Sequence, residues 1–369
     1  MPMSNVQPDD YTRLLAEKRK AVAHGLAPWC AGEPDIYPSA PTGFRMRAEF
    51  RMWHDGDSLD YVMFRKDDPR TPVPITHFPI GCDTIGQLMP VLREALTANP
   101  ELRRKLFQVE FLATLAGDTL VTLIYHRKLE DAWEREAEAL RVFLDGHVPG
   151  ISLIGRSRKQ KLVLGKNWVT EQLEIEGKTY SYNQYEQAFT QPNARVNIKM
   201  IEWACGRAAA LDGDLLELYC GNGNFTLPLA QHFDQVIATE LAKTSVRAAR
   251  ENLAANGVEN IQIIRLAAEE VTQAMQGERE FRRLQDLPKA LREYDLRTVF
   301  VDPPRAGLDD ATVQMVQRFD SIIYISCNPN TLADNLAVLT KTHVVKRHAM
   351  FDQFPYTDHM ECGVFLQRR

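Results

Sequence analysis

A cysteine stands where a buried strand is predicted to end. The stretch YISCNPNTL runs through apolar residues to Cys327, and Asn328-Pro329 then ends the strand before a helix-like run. A thiol at a helix start lies near partial positive charge, which predicts a lowered pKa and a nucleophilic thiolate. A buried structural cysteine is the alternative, and Cys220 is a rival nucleophile. We favour Cys327 because the Asn-Pro turn gives it an exposed edge position.

Two carboxylates are predicted near the same edge. Asp302 opens a DPPR motif at a strand end, where it could accept a hydrogen bond from a ligand or merely cap a turn. Amino-group methyltransferases often carry an aromatic residue after such prolines; Arg305 stands there instead, which argues against methylation of an adenine amino group. Glu361 precedes the last strand and could be a general base or a surface acid. His359, two residues earlier, would point the same way in an extended segment.

A glycine-rich turn predicts a cofactor site. In LLELYCGNGNFTLPLA, Gly221 and Gly223 stand between a strand and a helix, and Glu240 ends the next strand. An acid about 20 residues beyond such glycines is placed to bind ribose hydroxyls. Phe225 and Thr226 stand where a dinucleotide fingerprint continues toward its third glycine. S-adenosylmethionine, which has a ribose but no pyrophosphate, suits this shorter turn better, and an ordinary α/β turn is the alternative.

The elements that position these residues differ between the two halves of the chain. In the second half, short apolar runs alternate with helical stretches, which predicts a mostly parallel sheet with helices on both faces. Two further β-like runs at the end predict a terminal antiparallel hairpin. The first half mixes helical periods with a hairpin at Asp55-Gly56. We therefore predict an α+β region over residues 1–180 and an α/β, Rossmann-like catalytic domain over residues 181–369.

Composition and charge narrow the classes of partner. The net charge of −5 gives no overall attraction to nucleic acid, so RNA or DNA would have to bind a local patch. The stretch IGRSRKQKLVLGK is basic and contains no acid, although a solvated hairpin explains such a run more often. The six cysteines form no CxxC pair, so we expect neither a metal nor an iron–sulfur cluster. The N-terminus has no apolar core, and a cytoplasmic protein without a membrane segment is expected.

Four motifs taken together carry a family resemblance. In order along the chain, LELYCGNGNF, DPPRAGL, SCNPNTL and PYTDHMECG resemble the motifs of the RNA 5-methyluridine methyltransferases. The likeness continues upstream through FTQPN and RMRAEFRMWHDGD and so covers the whole chain. Relatives acting on ribosomal RNA usually carry an additional N-terminal module, and many hold a cysteine-ligated cluster. The chain shows neither feature and is most similar to the members that modify transfer RNA.

The resemblance implies a mechanism and a set of site residues. A thiolate at Cys327 would add to carbon 6 of uracil, carbon 5 would take the methyl group of S-adenosylmethionine, and Glu361 would remove the carbon-5 proton. The positions that would bind the cofactor are Gln191, Tyr219, Gly221, Asn224, Glu240 and Asp302. No metal, membrane or obligate protein partner is implied.

The resemblance also assigns RNA recognition to the first half of the chain. A T-loop uridine is held inside a folded loop and must be extruded to reach Cys327. RNA loops are bound by stacking on aromatic and arginine side chains and by phosphate contacts. The candidate RNA-binding residues are Arg51, Phe107, His126, Arg156, Arg158, Lys159 and Lys161. Packing within the protein, or a solvated surface, is the alternative role for each.

Three functions remain open at this point. The first is methylation of the transfer RNA T-loop. The second is the same chemistry on ribosomal RNA or on the T-loop-like hairpin of transfer-messenger RNA. The third is an RNA-binding or RNA-folding protein that does not depend on catalysis, which the retained thiol, base and cofactor acid disfavour.

Overall fold

The structure is a computed structural model that describes residues 5–65 and 68–369. The strands are β1 (Asp35–Tyr37), β2 (Arg47–Asp55), β3 (Ser58–Phe64), β4 (Pro72–Pro74), β5 (Leu106–Ala113), β6 (Thr119–Tyr125), β7 (Ser152–Ser157), β8 (Gln160–Leu164), β9 (Trp168–Ile175), β10 (Lys178–Tyr185), β11 (Asp214–Leu218), β12 (Val236–Thr239), β13 (Ile261–Ile264), β14 (Leu296–Val301), β15 (Ser321–Ser326), β16 (His343–Phe351) and β17 (Glu361–Arg368). The helices are α1 (Tyr11–Leu26), α2 (Asp83–Ala98), α3 (Pro100–Arg103), α4 (Asp131–Asp145), α5 (Ala194–Ala208), α6 (Thr226–Leu229), α7 (Lys243–Asn256), α8 (Ala268–Gln276), α9 (Asp310–Val316) and α10 (Pro329–Leu339).

Packing divides the described residues into two compact units. The first unit is drawn from Met1–Tyr11, Ala40–Gln172 and Gln184–Ala194, and the second consists of Thr12–Ser39, Leu173–Asn183 and Arg195–Arg369. This division differs from a single cut at residue 180. The difference arises because α1 contributes apolar side chains to the core of the second unit, and because β1 pairs with β16.

The second unit is built on a sheet with the strand order β1-β16-β17-β15-β14-β11-β12-β13. Strands β11 to β15 pair in parallel, whereas β17 runs antiparallel to both β15 and β16. The predicted α/β fold with a terminal antiparallel hairpin is thereby confirmed. The chain moves outward from β11 to β13 and then returns to β14 on the other side of β11. The carboxyl ends of β11 and β14 therefore flank a topological switch point, where ligands bind in open α/β sheets.

The first unit contains a sheet with the order β4-β3-β2-β5-β6-β7-β8. Its strands are antiparallel except for β6 and β7, which are parallel and are connected through helix α4, as a parallel pair requires. Trp133 of α4 is fully buried against β7, where a Cβ added at Gly155 would lie 2.2 Å from the indole ring. The hairpin predicted at Asp55-Gly56 is formed by β2 and β3.

Among the described residues, no helix combines the length and the apolar character that crossing a membrane requires.

Candidate active site

The strand register brings three predicted cofactor residues to one edge of the second unit's sheet. The last residue of β11 pairs with the last residue of β12 and with the last residue of β14. The residues that follow these strand ends are Tyr219, Glu240 and Asp302. They therefore leave the sheet side by side, although they are separated by up to 83 positions along the chain.

The same edge carries the predicted nucleophile and base. Strands β15 and β17 are antiparallel, with Ser326 opposite Cys362. Cys327 follows the first of these residues and Glu361 precedes the second, so the thiol and the carboxylate face each other across adjacent strands. The arrangement of strand, cysteine and helix start predicted for Cys327 is confirmed: the side chain is half-buried, and Asn328 caps α10.

The environment of Cys327 does not lower its pKa, and that expectation is wrong. Burial, followed by the charges of Glu361 and Asp302, raises the pKa of the Cys327 thiol to about 11. A backbone hydrogen bond and the Arg305 guanidinium act in the opposite direction but are outweighed. The thiol is therefore largely protonated at neutral pH before substrate binds.

Two carboxyl groups beside the thiol are also perturbed. Glu361 is 3 % exposed, and burial raises its pKa well above the ordinary value, with Asp302 adding to the effect and Lys18 opposing it. Burial likewise raises the pKa of Asp302 to about 7, with no hydrogen bond among the described residues to offset it. Asp302 is thus able to hold or accept a proton near neutral pH, and Glu361 binds a proton more tightly than an exposed glutamate does.

Contacts that the sequence did not indicate hold the loops around this edge. The Arg305 Nη2 atom lies 3.2 Å from His359 Nδ1 and ties the DPPR turn to the loop before β17. Lys18 of α1 reaches the same loop: its Nζ atom lies 2.6 Å from Asp352 Oδ1 and 3.0 Å from the Phe354 carbonyl oxygen. These partners are far apart in sequence, so local pattern carries no sign of them.

The glycine-rich turn and the predicted ribose-binding acid are in direct contact. The Gly221 amide donates a hydrogen bond to Glu240 Oε2 at 3.1 Å, and the Ala242 amide donates one to Oε1 at 2.7 Å. Gly221 and Gly223 have φ values of 57° and 88°, in the left-handed region that favours glycine. Tyr219 also has a positive φ, 61°, which is uncommon for a side-chain-bearing residue. Glu240 is held at the turn with its carboxylate fixed by backbone amides.

Two other predicted cofactor residues have less direct support. The side chains of Asn224 and Asn197 form a reciprocal pair of amide hydrogen bonds at 2.8 and 2.9 Å, and the Tyr182 hydroxyl donates to the Asn224 carbonyl. The hydrogen bonds of Asn224 stabilise the glycine-rich turn, and its contact with a cofactor stays a prediction. Gln191 belongs to the first unit, between β10 and α5, and its role also stays a prediction.

Three of the predicted RNA-binding residues form one stack in the first unit. The Arg51 guanidinium carbon lies 3.7 Å from the centroid of the Phe107 ring, whose centroid is 3.9 Å from that of His126. Residue type and expected strand position suggested these three side chains, and the sheet pairing of β2 with β5 and of β5 with β6 brings them together. A stack of a guanidinium, a phenyl ring and an imidazole is a surface on which a base can lie.

The basic hairpin is partly neutralised by a distant acid. Glu186, which the predictions did not include, accepts a hydrogen bond from Arg156 Nη2 at 2.6 Å and lies 2.9 Å from Lys161 Nζ. Arg158 and Lys159 lie exposed in the turn between β7 and β8. Of the four basic residues proposed here, these two are the better placed to meet phosphate.

A further group of potential ligands lies in the second unit. The side chains of Glu176, Cys205 and His232 each offer one atom, and these atoms all lie within 4.8 Å of one another. Their separation along the chain hid this cluster from any spacing motif.

Comparison with a family model covers nearly the whole chain. Residues 10–369 match the model of the tRNA (Uracil-5-)-methyltransferase family.

Individual relatives and a solved structure agree with the family match. The chain is 51% identical over 369 residues to the tRNA/tmRNA (uracil-C(5))-methyltransferase of Vibrio vulnificus (strain CMCP6), covering 100% of both chains. It is 52% identical over 361 residues to the enzyme of that description from Pectobacterium atrosepticum, covering 98% of both. Among solved structures, that of Pyrococcus abyssi tRNA (uracil-54, C5)-methyltransferase in complex with S-adenosyl-L-homocysteine matches with a TM-score of 0.71 and 21% identity. This match covers 96% of the present chain and 83% of the other, and at that identity it shows a shared fold.

Proposed function

The chain belongs to the tRNA (uracil-5-)-methyltransferase family, and we propose that Cys327 and Glu361 carry out its reaction on the T-loop uridine of transfer RNA. It is an S-adenosylmethionine-dependent enzyme that methylates carbon 5 of uracil. The proposed target is the uridine at position 54, the position on which the Pyrococcus abyssi enzyme acts according to its name. The observation that carries the proposal is the register of β15 and β17, because it sets a thiol and a buried carboxylate opposite each other at the sheet edge.

The first role belongs to Cys327. Carbon 5 of uracil is a poor nucleophile, and addition of a thiolate to carbon 6 forms a carbon–sulfur bond and moves an electron pair toward carbon 5. The pKa of about 11 means that the free enzyme holds this thiol protonated, which protects it from reaction before substrate is bound. Loss of the thiol proton is therefore part of the reaction with the RNA and not a property of the resting site.

Residues around the glycine turn are proposed to hold the cofactor. When bound, S-adenosylmethionine would supply an electrophilic methyl group on a sulfonium sulfur, and the sulfur would keep the bonding pair when carbon 5 takes this methyl. The fixed Glu240 carboxylate suits ribose hydroxyls, because the amides of Gly221 and Ala242 already orient it. The Asp302 carboxyl group lies at the neighbouring strand end and has no hydrogen bond among the described residues, so it could accept one from the cofactor. Tyr219, Asn224 and Gln191 are proposed as further contacts.

Glu361 completes the reaction as the general base. After methyl transfer, carbon 5 still carries its proton, and the base removes it. The electron pair left behind re-forms the carbon 5–carbon 6 double bond and expels the Cys327 thiolate, so that 5-methyluridine is released. The raised pKa of Glu361 makes its carboxylate a stronger proton acceptor than an ordinary exposed glutamate.

The reaction can be followed by tritium release from a transfer RNA transcript labelled at carbon 5 of its uracils. Wild-type protein should release close to one label per RNA in the presence of S-adenosylmethionine, and Cys327→Ala should release none. Replacing the T-loop uridine by cytidine should abolish the release as well. Release that continues in the cysteine variant would remove Cys327 from the mechanism, and no release from any transfer RNA would overturn the proposed substrate.

A second experiment separates the base from the nucleophile. Glu361→Gln should still form the bond to carbon 6 and accept the methyl group, but it cannot remove the carbon-5 proton. We expect a protein–RNA adduct that survives denaturing electrophoresis, and its absence in the Cys327→Ala/Glu361→Gln double variant. Asp358→Asn is the matched control, because this exposed acid lies in the loop just before Glu361. An adduct of equal yield in the control, or normal turnover by Glu361→Gln, would exclude Glu361 as the base.

RNA recognition by the first unit is proposed to use the stack of Arg51, Phe107 and His126. Base stacking on such platforms contributes about 1–3 kcal/mol per base, so the triple alanine variant should bind T-arm RNA about 5- to 150-fold more weakly. The control is Phe143→Ala/His147→Ala, which removes another ring pair of the same unit, with centroids 5.2 Å apart. Equal affinity of the triple variant and wild type would refute this assignment.

Two broader alternatives are tested with the same variants. The curated relatives are described as tRNA/tmRNA enzymes, so we propose the T-loop-like hairpin of transfer-messenger RNA as a second substrate, to be tested by label release from that hairpin. A role in RNA folding that is independent of methylation predicts that Cys327→Ala keeps its full effect on RNA structure. A transfer RNA substrate agrees with the cytoplasmic location that the sequence predicts.

A further inference from the structure

We propose that Glu176, Cys205 and His232 form a binding site for a divalent metal ion of the zinc class in the second unit. The three donors belong to none of the residues assigned to methyl transfer or RNA binding. The site would have three protein ligands and a fourth position for water.

Three separate segments bring the donors together. Glu176 lies in the turn between β9 and β10, with a φ of 51°, and Cys205 lies on the fully buried face of α5. His232 ends a short 3-10 turn, Ala230–His232. Because the donors come from a hairpin, a helix and a loop, local structure alone does not bring about their convergence.

The distances fit a metal ion after a small contraction. The Cys205 Sγ, one ring nitrogen of His232 and a carboxylate oxygen of Glu176 all lie within 4.8 Å of one another, and His232 Nε2 lies 4.0 Å from Glu176 Oε2. A triangle with sides of this length has a centre within about 2.8 Å of every corner, whereas zinc lies about 2.3 Å from sulfur and 2.0–2.2 Å from nitrogen or oxygen. Each donor would have to move by about half an ångström, which a change in side-chain torsions can supply.

Buried polar atoms around the cluster lack partners. His232 Nε2 is buried and has no hydrogen-bond partner among the described residues, and the same is true of the hydroxyl of Tyr180, which is 0 % exposed. Burial, and then the charges of Cys205 and Glu176, raise the pKa of Tyr180. Polar groups buried without partners are destabilising, and a bound cation with its water would satisfy them.

The chemistry of the donors selects the type of ion. A thiolate, an imidazole and a carboxylate together suit zinc, and they disfavour magnesium or calcium, which prefer oxygen ligands. The Glu176 side chain is 41% exposed, so an ion can enter from solvent on that side. Gln231 Nε2 lies 3.3 Å from Glu176 Oε2 and would have to release this carboxylate when a metal ion binds.

Cobalt(II) is the probe for this site, because thiolate-to-cobalt charge transfer and tetrahedral ligand-field bands report directly on the donors. The titration uses chelator-treated full-length protein with Cys327→Ala, so that the catalytic thiol gives no signal. We expect one equivalent of cobalt with a thiolate band, and displacement of the cobalt by zinc. The band should be absent in Cys205→Ser, and affinity should fall about tenfold or more in His232→Gln and in Glu176→Gln, each of which lacks one ligand.

Controls separate this site from adventitious binding and from loss of folding. Cys30→Ser removes another buried thiol of the second unit and should leave the titration unchanged. Glu176 is exposed, so Glu176→Gln should fold with unchanged circular dichroism even if the variant at buried Cys205 does not. Gln231→Ala should bind at least as tightly as the parent protein. A titration without a thiolate band, or a band that persists at full affinity in both Glu176→Gln and His232→Gln, would overturn the proposal.

Discussion

Replacing Lys18 by methionine is expected to destabilise the second unit strongly, because it removes the cation from a buried ion pair. The Lys18 and Asp352 side chains are only 10% and 2% exposed, and the Nζ–Oδ1 distance is 2.6 Å. At an effective dielectric constant of about 20, their attraction is about 6 kcal/mol, which the cost of desolvating both groups largely offsets. Removing one partner leaves the desolvation of the other in place, so the free energy of unfolding should fall by about 3–5 kcal/mol.

A double-mutant cycle tests this reasoning. Lys18→Met/Asp352→Asn removes both charges, so it should lose clearly less stability than the sum of the two single variants. The assay is urea unfolding followed by tryptophan fluorescence and circular dichroism, with the transition slopes compared to confirm that the same unfolding event is measured. Lys199→Met is the matched control: its partner Glu202 lies 2.8 Å away, but the two side chains are 51% and 31% exposed, and a loss below about 1 kcal/mol is expected.

The result also bears on the active site, because Asp352 and Phe354 begin the loop that leads to Glu361. A loss below about 1 kcal/mol in Lys18→Met, or strict additivity in the cycle, would refute the view that this pair anchors the loop.

Three further predictions concern the thiol, a buried acid and the glycine turn. Cys327 should be the first cysteine of the native protein to react with iodoacetamide, since the other five are buried. The rate of its alkylation should rise about tenfold per pH unit from pH 7 to 10, because the thiolate fraction rises in that proportion below the pKa. Mass spectrometry that finds another cysteine modified first would contradict this prediction. Burial raises the pKa of Glu217 to about 8 from 4.5, so the folded state holds a proton that the unfolded state releases, and stability should fall as pH rises between these values. Glu217→Gln should reduce that fall by up to about 4 kcal/mol between pH 4.5 and 8 by chemical denaturation, because only Asp302, Glu361 and similar groups then contribute to it. An unchanged pH dependence would refute the assignment. Gly223→Ala should weaken the binding of S-adenosylhomocysteine measured by calorimetry, because a φ of 88° strains any residue that bears a side chain. Gly206→Ala is the control: there is open space around its Cβ position, and the affinity should not change.

Much of the sheet and its edge could be predicted from the sequence because the information is local. Continuous apolar runs such as that of β15 predict strands buried on both faces, and a glycine turn or an Asn-Pro step marks where each strand ends. Since the carboxyl ends of parallel strands meet at one edge, Asp302 and Cys327 could be placed together without coordinates. Glu361 could be indicated as a base only beside the alternative of a surface acid, and the family resemblance was needed to choose between them. Gln191 needed the resemblance altogether, because an isolated polar residue in a loop carries no period.

The electrostatic state of the site could not be predicted in this way. The helix start after Cys327 predicted a lowered pKa, yet burial and two carboxyl groups raise it. Those carboxyl groups reach the thiol from β14 and β17, and their effect depends on depth and distance rather than on sequence spacing. The charge of the basic run around Arg156 could not be predicted from the sequence either, because its neutralising partner Glu186 comes 30 residues later.

The sequence by itself therefore determined the elements, the order of the motifs and the chemical types of the reacting groups. Hydrophobic period, turn residues and helix caps act over a few residues, so their effects can be predicted from the sequence alone. The tertiary structure alone decided which groups face one another: Cys327 with Glu361, Glu240 with the Gly221 amide, and the three donors of the proposed metal site. The physical reason is that strand register and burial set distances and local dielectric, and both arise only when segments distant in sequence pack together.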